Sequence, residues 1–154
     1  MRIRRAAAGD TSAVADLIVR TKRLNNEFDP LFTVVGDAKR RASKYVAESL
    51  RSPKVLLLVG DSATKVVGVL RAEIRERGFY APGRDGHITD FYILPEFRRK
   101  AFGNDMLKRA SADLKKMGAE VVTAEVPSQN EIAVRFYTKR GFRSLVQIFA
   151  AKHQ

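Results

Sequence analysis

Few residues in this chain could carry acid–base or nucleophilic chemistry. The 154 residues include no cysteine and two histidines, His87 and His153. Without thiols there is no disulfide, no thiolate nucleophile and no cysteine-based zinc site. Two histidines are too few for a histidine-rich metal site, and no nucleophile-elbow sequence accompanies His87. Any chemistry must therefore use carboxylates, tyrosines, backbone amides and a reactive group supplied by a bound molecule.

The stretch 91–114 combines an apolar strand, a proline, a basic turn and an amphipathic helix. Pro95 ends the strand because it has no amide to donate to a ladder. The cations at 98–100 precede the small residues Ala101 and Gly103. Because the first turn of a helix leaves its amides unpaired, the stretch predicts an anion-binding site. A plain strand-to-helix connection with solvated charges is the alternative.

Two patterns in the sequence match a known family. Arg98, Ala101 and Gly103 stand at the spacing R/Q-x-x-G-x-G/A, and this stretch resembles the signature of the GNAT superfamily of acyl-CoA-dependent N-acyltransferases. The stretch 123–142 resembles the pattern N-x-x-A-x-x-x-Y-x-x-x-G-F of many GNAT domains, at Asn130, Ala133, Tyr137, Gly141 and Phe142. The chain departs from the first pattern at Ala101, where glycine is usual and where a methyl group would crowd a phosphate.

The resemblance implies acetyl-CoA as co-substrate, no metal, and transfer of an acetyl group to a primary amine. The absence of cysteine favours direct attack without an acyl-enzyme. The family pattern implies these cofactor-binding residues: Tyr92, Ile93, Leu94, Arg98, Arg99, Lys100, Ala101, Phe102, Gly103, Asn104, Asn130 and Tyr137. In relatives the asparagine contacts the pantetheine arm and the tyrosine hydroxyl lies near the thioester sulfur. The plainer alternatives are that Asn130 only starts a helix and that Tyr137 only packs.

Aminolysis of a thioester needs a neutral amine, a polarised carbonyl and a proton for the departing thiolate. Tyr137 suits the last task, because a phenol with a pKa of about 10 is protonated at neutral pH. Backbone amides at 92–94 could hold the carbonyl oxygen if that strand end is splayed. For the base, Glu125 stands twelve residues before Tyr137, which resembles the pair in the GNAT branch that acetylates ribosomal-protein N-termini. Asp90 and a water-relayed path remain open, either carboxylate could instead pair with an arginine, and His87 is a relay or a structural residue.

The predicted elements follow the order β α α β β β α β α β in one domain, 1–154. This order resembles the GNAT topology: an α/β fold with a mixed six- to seven-stranded central sheet, about four flanking helices and splayed central strands. Strands are predicted at 2–6, 54–59, 66–74, 87–94, 121–126 and 145–150, with a loop at 75–86. Ser128 and Glu131 predict a capping box for the last helix.

The formal net charge of +12 attracts polyanions, whether nucleic acid, a ribosome or a phosphate-bearing cofactor. No apolar run is long enough to span a bilayer and no secretory signal precedes the domain, so we expect a cytoplasmic protein without membrane contact, as a monomer or homodimer. The leading hypothesis is an N-acetyltransferase, with a protein or peptide amine slightly favoured over a small amine. The rivals are an acyl-CoA-binding domain without catalysis and a basic ribosome- or nucleic-acid-associated module.

In the family, the acceptor is recognised by the loop between the first two helices and by the loop before the central strand. These correspond to 25–32 and 77–85 in this sequence. The first carries Glu27 and Asp29, which can attract a cationic amine, and the second carries Phe79 and Tyr80, which can pack on it.

Overall fold

The computed structural model describes residues 1–98 and 101–153. Its helices are α1 (Thr11–Asn26), α2 (Ala38–Arg51), α3 (Phe102–Lys116) and α4 (Glu131–Thr138), and its strands are β1 (Arg2–Arg5), β2 (Val55–Asp61), β3 (Val66–Glu76), β4 (Arg84–Ile93) and β5 (Val121–Ala124). The strands form one sheet in the order β1-β2-β3-β4-β5. Neighbours are antiparallel except β4 and β5, which are parallel. No helix in the part of the chain that the structure describes is long and apolar enough to cross a bilayer.

The helices cover opposite faces of the sheet. Arg71 of β3 donates to Ser49 of α2, at 2.8 Å. Gly68, an odd number of residues away on the same strand, faces Phe102 and Met106 of α3. Because side chains alternate along a strand, α2 and α3 must lie on different faces.

Close approach of α3 to the sheet depends on glycine. A Cβ at Gly60 would lie 2.3 Å from the ring of Phe102, far inside van der Waals contact. The buried Phe102 ring occupies this space and thereby fixes the first turn of α3 against β2. The first turn of α3 also lies close to the end of β4, because a Cβ at Gly103 would be 3.6 Å from Ile93.

A bulge in β4 sets which residues reach the α1–α2 side. Arg71 pairs with Asp90 and Ala72 with Ile88, so Thr89 has no partner in the β3 register. The extra residue changes the alternation. As a result His87 and Asp90, three residues apart, both face away from α3.

The central strands are splayed, as predicted. β4 runs along β3 as far as Ile93, but it pairs with β5 only from Asp85 to Ile88. The last backbone bond on that side is from the Glu125 amide to the Ile88 carbonyl, at 3.3 Å. Beyond it no backbone bond joins β4 to the segment after β5, and we call the gap between them the cleft.

Three predictions about elements need correction. The described residues form five strands and not six or seven, because 145–150 lies in no strand. The loop predicted at 75–86 is shorter, since β3 continues to Glu76 and β4 begins at Arg84. The cap of α4 is Asn130 rather than Ser128: the Asn130 side chain accepts from the Ala133 amide at 3.1 Å.

Candidate active site

The cleft between β4 and β5 contains one outward-facing amide of the predicted set at 92–94. The Leu94 amide donates to the Val67 carbonyl at 2.8 Å, so it faces β3. Because successive amides of a strand face opposite edges, the Tyr92 amide also faces β3 and the Ile93 amide faces the cleft. Leu94 is therefore not free to hold a carbonyl oxygen, and Ile93 is the residue of this group that can.

Arg98 closes the turn after β4. Its Nε donates to the Ile93 carbonyl at 2.7 Å, and its guanidinium lies 5.1 Å from the centre of the Tyr92 ring. These contacts hold Arg98 on the strand end. Arg99 and Lys100, which the sequence assigns to cofactor binding, lie outside the described residues.

The turn into α3 has the properties of an anion site. Ala101, the residue before the helix, adopts a left-handed conformation with φ 59° and ψ 13°. No side chain caps the helix. The amides of Phe102, Gly103 and Asn104 therefore lack the intrahelical partners that later amides have. Such a turn can hold a phosphate through backbone donors, so the site fits the pyrophosphate of coenzyme A.

The side chains of this turn face the protein rather than the predicted phosphate site. A Cβ at Gly103 would lie 3.3 Å from the Phe136 ring and 3.6 Å from Ile93. Asn104 accepts a hydrogen bond from Arg140 at 2.9 Å. Any contact of Phe102 or Gly103 with a cofactor must therefore be made by the backbone, and a valine at 103 would act first on Phe136.

Tyr137 lies in an aromatic cluster beside the cleft. Its ring centre lies 5.3 Å from that of Phe136 and 5.1 Å from that of Phe142, both in edge-on geometry, and Phe136 meets Phe91 of β4 at 5.8 Å. Burial raises the pKa of Tyr137 above its ordinary value of 10.0. Among the described residues its hydroxyl has no hydrogen-bond partner, and no buried side-chain polar atom there lacks one, so the hydroxyl must reach accessible space.

Glu125, just past β5, is connected to a hydrogen-bonded chain across β4 and β5. Its Oε1 lies 2.6 Å from Nε2 of His87. Nδ1 of His87 lies 2.7 Å from the hydroxyl of Thr123. That hydroxyl donates to Asp85, at 2.8 and 2.6 Å from its two oxygens. The chain Asp85–Thr123–His87–Glu125 thus ends at a carboxyl group that is 60% exposed.

The order of donors fixes where protons sit in this chain. The Thr123 hydroxyl has one hydrogen, which the Asp85 carboxylate receives, so Nδ1 of His87 must be the donor to Thr123. In neutral histidine Nε2 then has no hydrogen. A 2.6 Å contact between Nε2 and Glu125 requires one there. The pair of His87 and Glu125 is therefore arranged to bind one proton between Nε2 and the carboxylate.

Asp90, the other candidate base, has a different environment. Its side chain is fully buried and lies 2.7 Å from the ammonium of Lys22. The hydroxyls of Tyr45 and Thr89 donate to its second oxygen at 2.8 and 2.9 Å. Burial, followed by the charge of Asp90, raises the pKa of Tyr45. Arg71 extends the network, donating to Thr89 at 3.0 Å and lying 4.3 Å from the centre of the Tyr45 ring.

Sequence reasoning did not single out Asp85 and Thr123. Asp85 and His87 stand two residues apart on one strand, and Thr123 and Glu125 two apart on the next. Polar residues at a spacing of two share one face of a strand. The spacing of two polar residues on each of two neighbouring strands could therefore have identified Asp85 and Thr123 from the sequence.

The predicted acceptor loops lie at the surface. Phe79 is 98% exposed and Tyr80 68%, while Leu31 and Phe32 in the loop after α1 are 58% and 43% exposed. Asp29 caps a short turn by accepting from the Leu31 amide at 2.8 Å. Both loops therefore present apolar side chains without a described partner in the core.

The profile of the acetyltransferase (GNAT) family matches residues 21–142 of this chain, a span that includes the cleft, the turn into α3 and α4. The chain therefore belongs to the GNAT family of acetyltransferases, and the fold and the acetyl-CoA dependence predicted from its motifs are confirmed. No group of three or more potential metal ligands occurs among the described residues.

Solved structures of similar fold include three that cover almost the whole chain. The BH1408 protein of Bacillus halodurans, as a tetramutant, is 19% identical with a TM-score of 0.85, covering 99% of this chain and 100% of its own. Aminoglycoside 6'-N-acetyltransferase AAC(6')-Ig of Acinetobacter haemolyticus is 16% identical with a TM-score of 0.78, covering 100% and 99%. A predicted acetyltransferase of Clostridium acetobutylicum, determined with acetyl-CoA, is 17% identical with a TM-score of 0.78, covering 98% and 95%. At these identities the likeness concerns the fold. No curated protein sequence matches the chain significantly.

Proposed function

We propose that this protein transfers the acetyl group of acetyl-CoA directly to a primary amine in the cleft between β4 and β5. The observation that carries the proposal is the carboxyl end of the chain Asp85–Thr123–His87–Glu125, which lies where the two strands separate. Acetyl-CoA supplies the activated acetyl thioester. The protein supplies the groups that hold it and the groups that move protons.

In this proposal the cofactor is held by backbone donors. The uncapped amides at the start of α3 receive the pyrophosphate. The Ile93 amide is available to the carbonyl oxygen. Asn130 uses its side-chain oxygen to cap α4, which leaves its side-chain NH₂ group for the pantetheine arm. No role is assigned to Arg99 and Lys100, which lie outside the described residues.

The pair of Glu125 and His87 is the proposed base. When Nε2 of His87 carries no hydrogen and Glu125 is ionised, two lone-pair atoms face each other at 2.6 Å. Uptake of one proton from an incoming ammonium group replaces this repulsion with a charge-assisted hydrogen bond. The neutral amine left behind is the form that attacks a carbonyl carbon.

Tyr137 is the proposed acid. Because burial raises its pKa, its hydroxyl keeps its hydrogen throughout the neutral and mildly alkaline range. That hydrogen can go to the sulfur as the carbon–sulfur bond breaks, and the second hydrogen that the nitrogen loses as the amide forms restores the phenol. The chain thus supplies both a proton acceptor and a proton donor for direct transfer.

For the acceptor, a protein or peptide amine is the first candidate. The exposed Leu31, Phe32, Phe79 and Tyr80 offer apolar contacts to side chains that flank a terminal amine or a lysine. A small polycationic amine is the second candidate. It is favoured by Glu125, whose carboxylate is reachable by a cation because the side chain is 60% exposed. A cytoplasmic location and proximity to ribosomes or nucleic acid remain predictions from the sequence.

The test has two arms. Calorimetry should detect acetyl-CoA binding, and acetyl-pantetheine, which lacks the pyrophosphate and nucleotide, should bind on the order of 100-fold more weakly if the α3 turn holds the phosphates. Release of free thiol should then be measured with N-terminal peptides, lysine peptides and aminoglycosides. Binding of acetyl-CoA without thiol release for any of these acceptors would indicate a non-catalytic acyl-CoA-binding domain. Equal affinity for the two thioesters would show that the turn into α3 does not hold the pyrophosphate.

A further inference from the structure

Helix α4, which carries Tyr137, has few contacts that fix its position. None of its eight residues is fully buried. A helix of this length is not stable in isolation, so α4 depends on contacts with other elements. The Phe136 ring supplies apolar ones, because it meets Phe91 of β4 and lies beside Gly103 of α3. Apolar attraction is not directional, so these contacts do not determine the rotation of the helix.

Arg140, just after α4, supplies a directional contact. Its Nε donates to Oδ1 of Asn104 at 2.9 Å. Among the described residues, this is the only hydrogen bond that joins the segment 126–142 to any residue outside it. The rotation of α4 therefore depends on this bond.

The guanidinium group of Arg140 is itself held in one orientation. Its Nη1 donates to the Phe136 carbonyl at 2.9 Å, and its Cζ lies 3.8 Å from the centre of the Phe136 ring. The guanidinium is planar and its donors form a rigid fork, so a bond to Asn104 on one side and to Phe136 on the other defines its plane. We call Arg140 with these contacts to Asn104 and Phe136 the clamp.

The clamp joins two parts of the candidate site. Asn104 lies in the first turn of α3, whose uncapped amides are proposed to hold the pyrophosphate. Tyr137, the proposed acid, lies three residues before Arg140, and its carbonyl accepts from the Arg140 amide at 2.9 Å. The turn for one end of the cofactor is thus connected to the helix that carries the acid for the other end.

We propose that Arg140 is a positioning residue for acetyl transfer, which holds α4 against the first turn of α3 so that the Tyr137 hydroxyl meets the thioester sulfur. The inference rests on the function proposed above, since it requires Tyr137 as the acid. A phenol can protonate the sulfur only within hydrogen-bond reach, and a displacement of about 1 Å can cost on the order of 100-fold in rate. The effect of Arg140 passes through Tyr137, so it belongs to kcat rather than to KM.

Hydrogen exchange measured by mass spectrometry tests the clamp without cofactor or activity. Arg140→Met keeps a long unbranched side chain but removes both hydrogen bonds. The amides of 131–138 should then exchange faster by about 10-fold or more, while those of 106–116 in α3 should not change. Lys139→Met removes a charge at the adjacent position and is the matched control, which should exchange like wild type. Equal exchange of α4 in Arg140→Met and in the control would overturn the proposal.

A double-mutant cycle with Tyr137→Phe tests the role in catalysis. With Tyr137 present, Arg140→Met should lower kcat for acetyl-CoA by about 10-fold and change KM by less than about 2-fold. In the Tyr137→Phe background it should lower kcat by less than about 2-fold, because the hydroxyl that it positions is gone. A structural role alone predicts the same loss in both backgrounds. That result, or full activity of Arg140→Met, would overturn the proposal.

The same measurements distinguish this failure from failure of the proposed function. If the proposed function is wrong, wild type releases no thiol with any acceptor, or Tyr137→Phe turns over at the wild-type rate. Either result would overturn the inference together with the acid assignment. A slow Tyr137→Phe beside a fully active Arg140→Met would instead retain the acid and reject only the role of Arg140.

Discussion

Strand β4 carries two carboxylate sites that differ in how completely they are enclosed. The carboxyl group of Asp90 is fully buried and receives hydrogen bonds from Lys22, Tyr45 and Thr89. Glu125, reached from β4 through His87, is 60% exposed and has one described partner. A buried carboxylate that already accepts three hydrogen bonds, one of them from an ammonium group, stabilises the fold and is not exposed to a substrate amine. The comparison favours Glu125 as the base and Asp90 as a structural residue.

The largest effect on rate is expected for Glu125→Gln. If Glu125 and His87 share the proton taken from the amine, turnover at neutral pH should fall on the order of 100-fold or more. The loss should shrink as pH rises, because a lysine amine with a pKa of about 10.4 increasingly deprotonates without help. A pH–rate profile with a peptide acceptor checks this. Unchanged turnover at pH 7, with chemistry rate-limiting, would return Asp90 or water to consideration.

Tyr137, the proposed acid that acts with Glu125, is tested by Tyr137→Phe, which removes the hydroxyl and keeps the ring. Turnover should fall by about 100-fold, while the affinity for acetyl-CoA stays nearly constant, since the loss is confined to the transition state. Single-turnover kinetics and calorimetry separate the two quantities. A wild-type rate would mean that Tyr137 acts only through its contacts with Phe136 and Phe142.

Asp90→Asn should show the opposite pattern. Removing the charge leaves Lys22 without its partner and disturbs the bonds from Tyr45 and Thr89, so the free energy of unfolding should fall by about 2 kcal/mol. The estimate lies below the usual range for buried pairs because Lys22 is 46% exposed. Urea unfolding measures the loss. The pH–rate profile per folded molecule should match wild type, and a pH-rescued loss of turnover would exchange the roles of Asp90 and Glu125.

A smaller effect is expected at Thr123, which sets the tautomer of His87. Thr123→Val keeps the shape and removes the hydroxyl, so Nδ1 loses its acceptor and turnover should fall by about 10-fold, with a shifted pH–rate profile. Thr123→Ser retains a hydroxyl and should recover most of the rate and the original profile. A simple packing role predicts the reverse, with Thr123→Ser more damaging than Thr123→Val.

Ala101 lies outside both carboxylate sites, and we expect Ala101→Gly to have the smallest effect on stability and none on the pH–rate profile. Glycine inside a helix costs stability, but Ala101 lies before α3 and has φ 59°. Glycine adopts that conformation without steric cost, so thermal unfolding should show a gain of about 1 kcal/mol. The pH–rate profile should not move, and tighter acetyl-CoA binding would show that the methyl group also crowds the phosphates.

The sequence predicted the features that depend on residues close together in the chain. The predicted order of elements placed four helices between the strands as observed. The positions of Glu125 and Tyr137 came from motif resemblance, but their partners did not. His87, Thr123 and Asp85 meet only because β4 and β5 are parallel in one particular register, and register between distant segments is not encoded locally.

The segment 145–150 and the enclosed state of Asp90 show two other limits. The strand predicted at 145–150 is wrong, since apolar and β-branched residues form a strand only when another strand supplies the ladder. The sequence left Asp90 open as an alternative base. Lys22 lies 68 positions away, so the pairing that occupies Asp90 cannot be read from its neighbours.

The unpaired Thr89 makes the effect of a deletion in β4 depend on its position, in a way that substitutions would not reveal. Deleting Thr89 itself would leave His87 and Asp90 two residues apart, so regular alternation would keep both on the face away from α3. Deleting Tyr92 would instead move Ile93 to the opposite face, away from Gly68 and the first turn of α3. In a scan of single-codon deletions, loss of Tyr92 should therefore damage folding far more than loss of Thr89. Among homologues, changes of length in this strand should occur at the bulge.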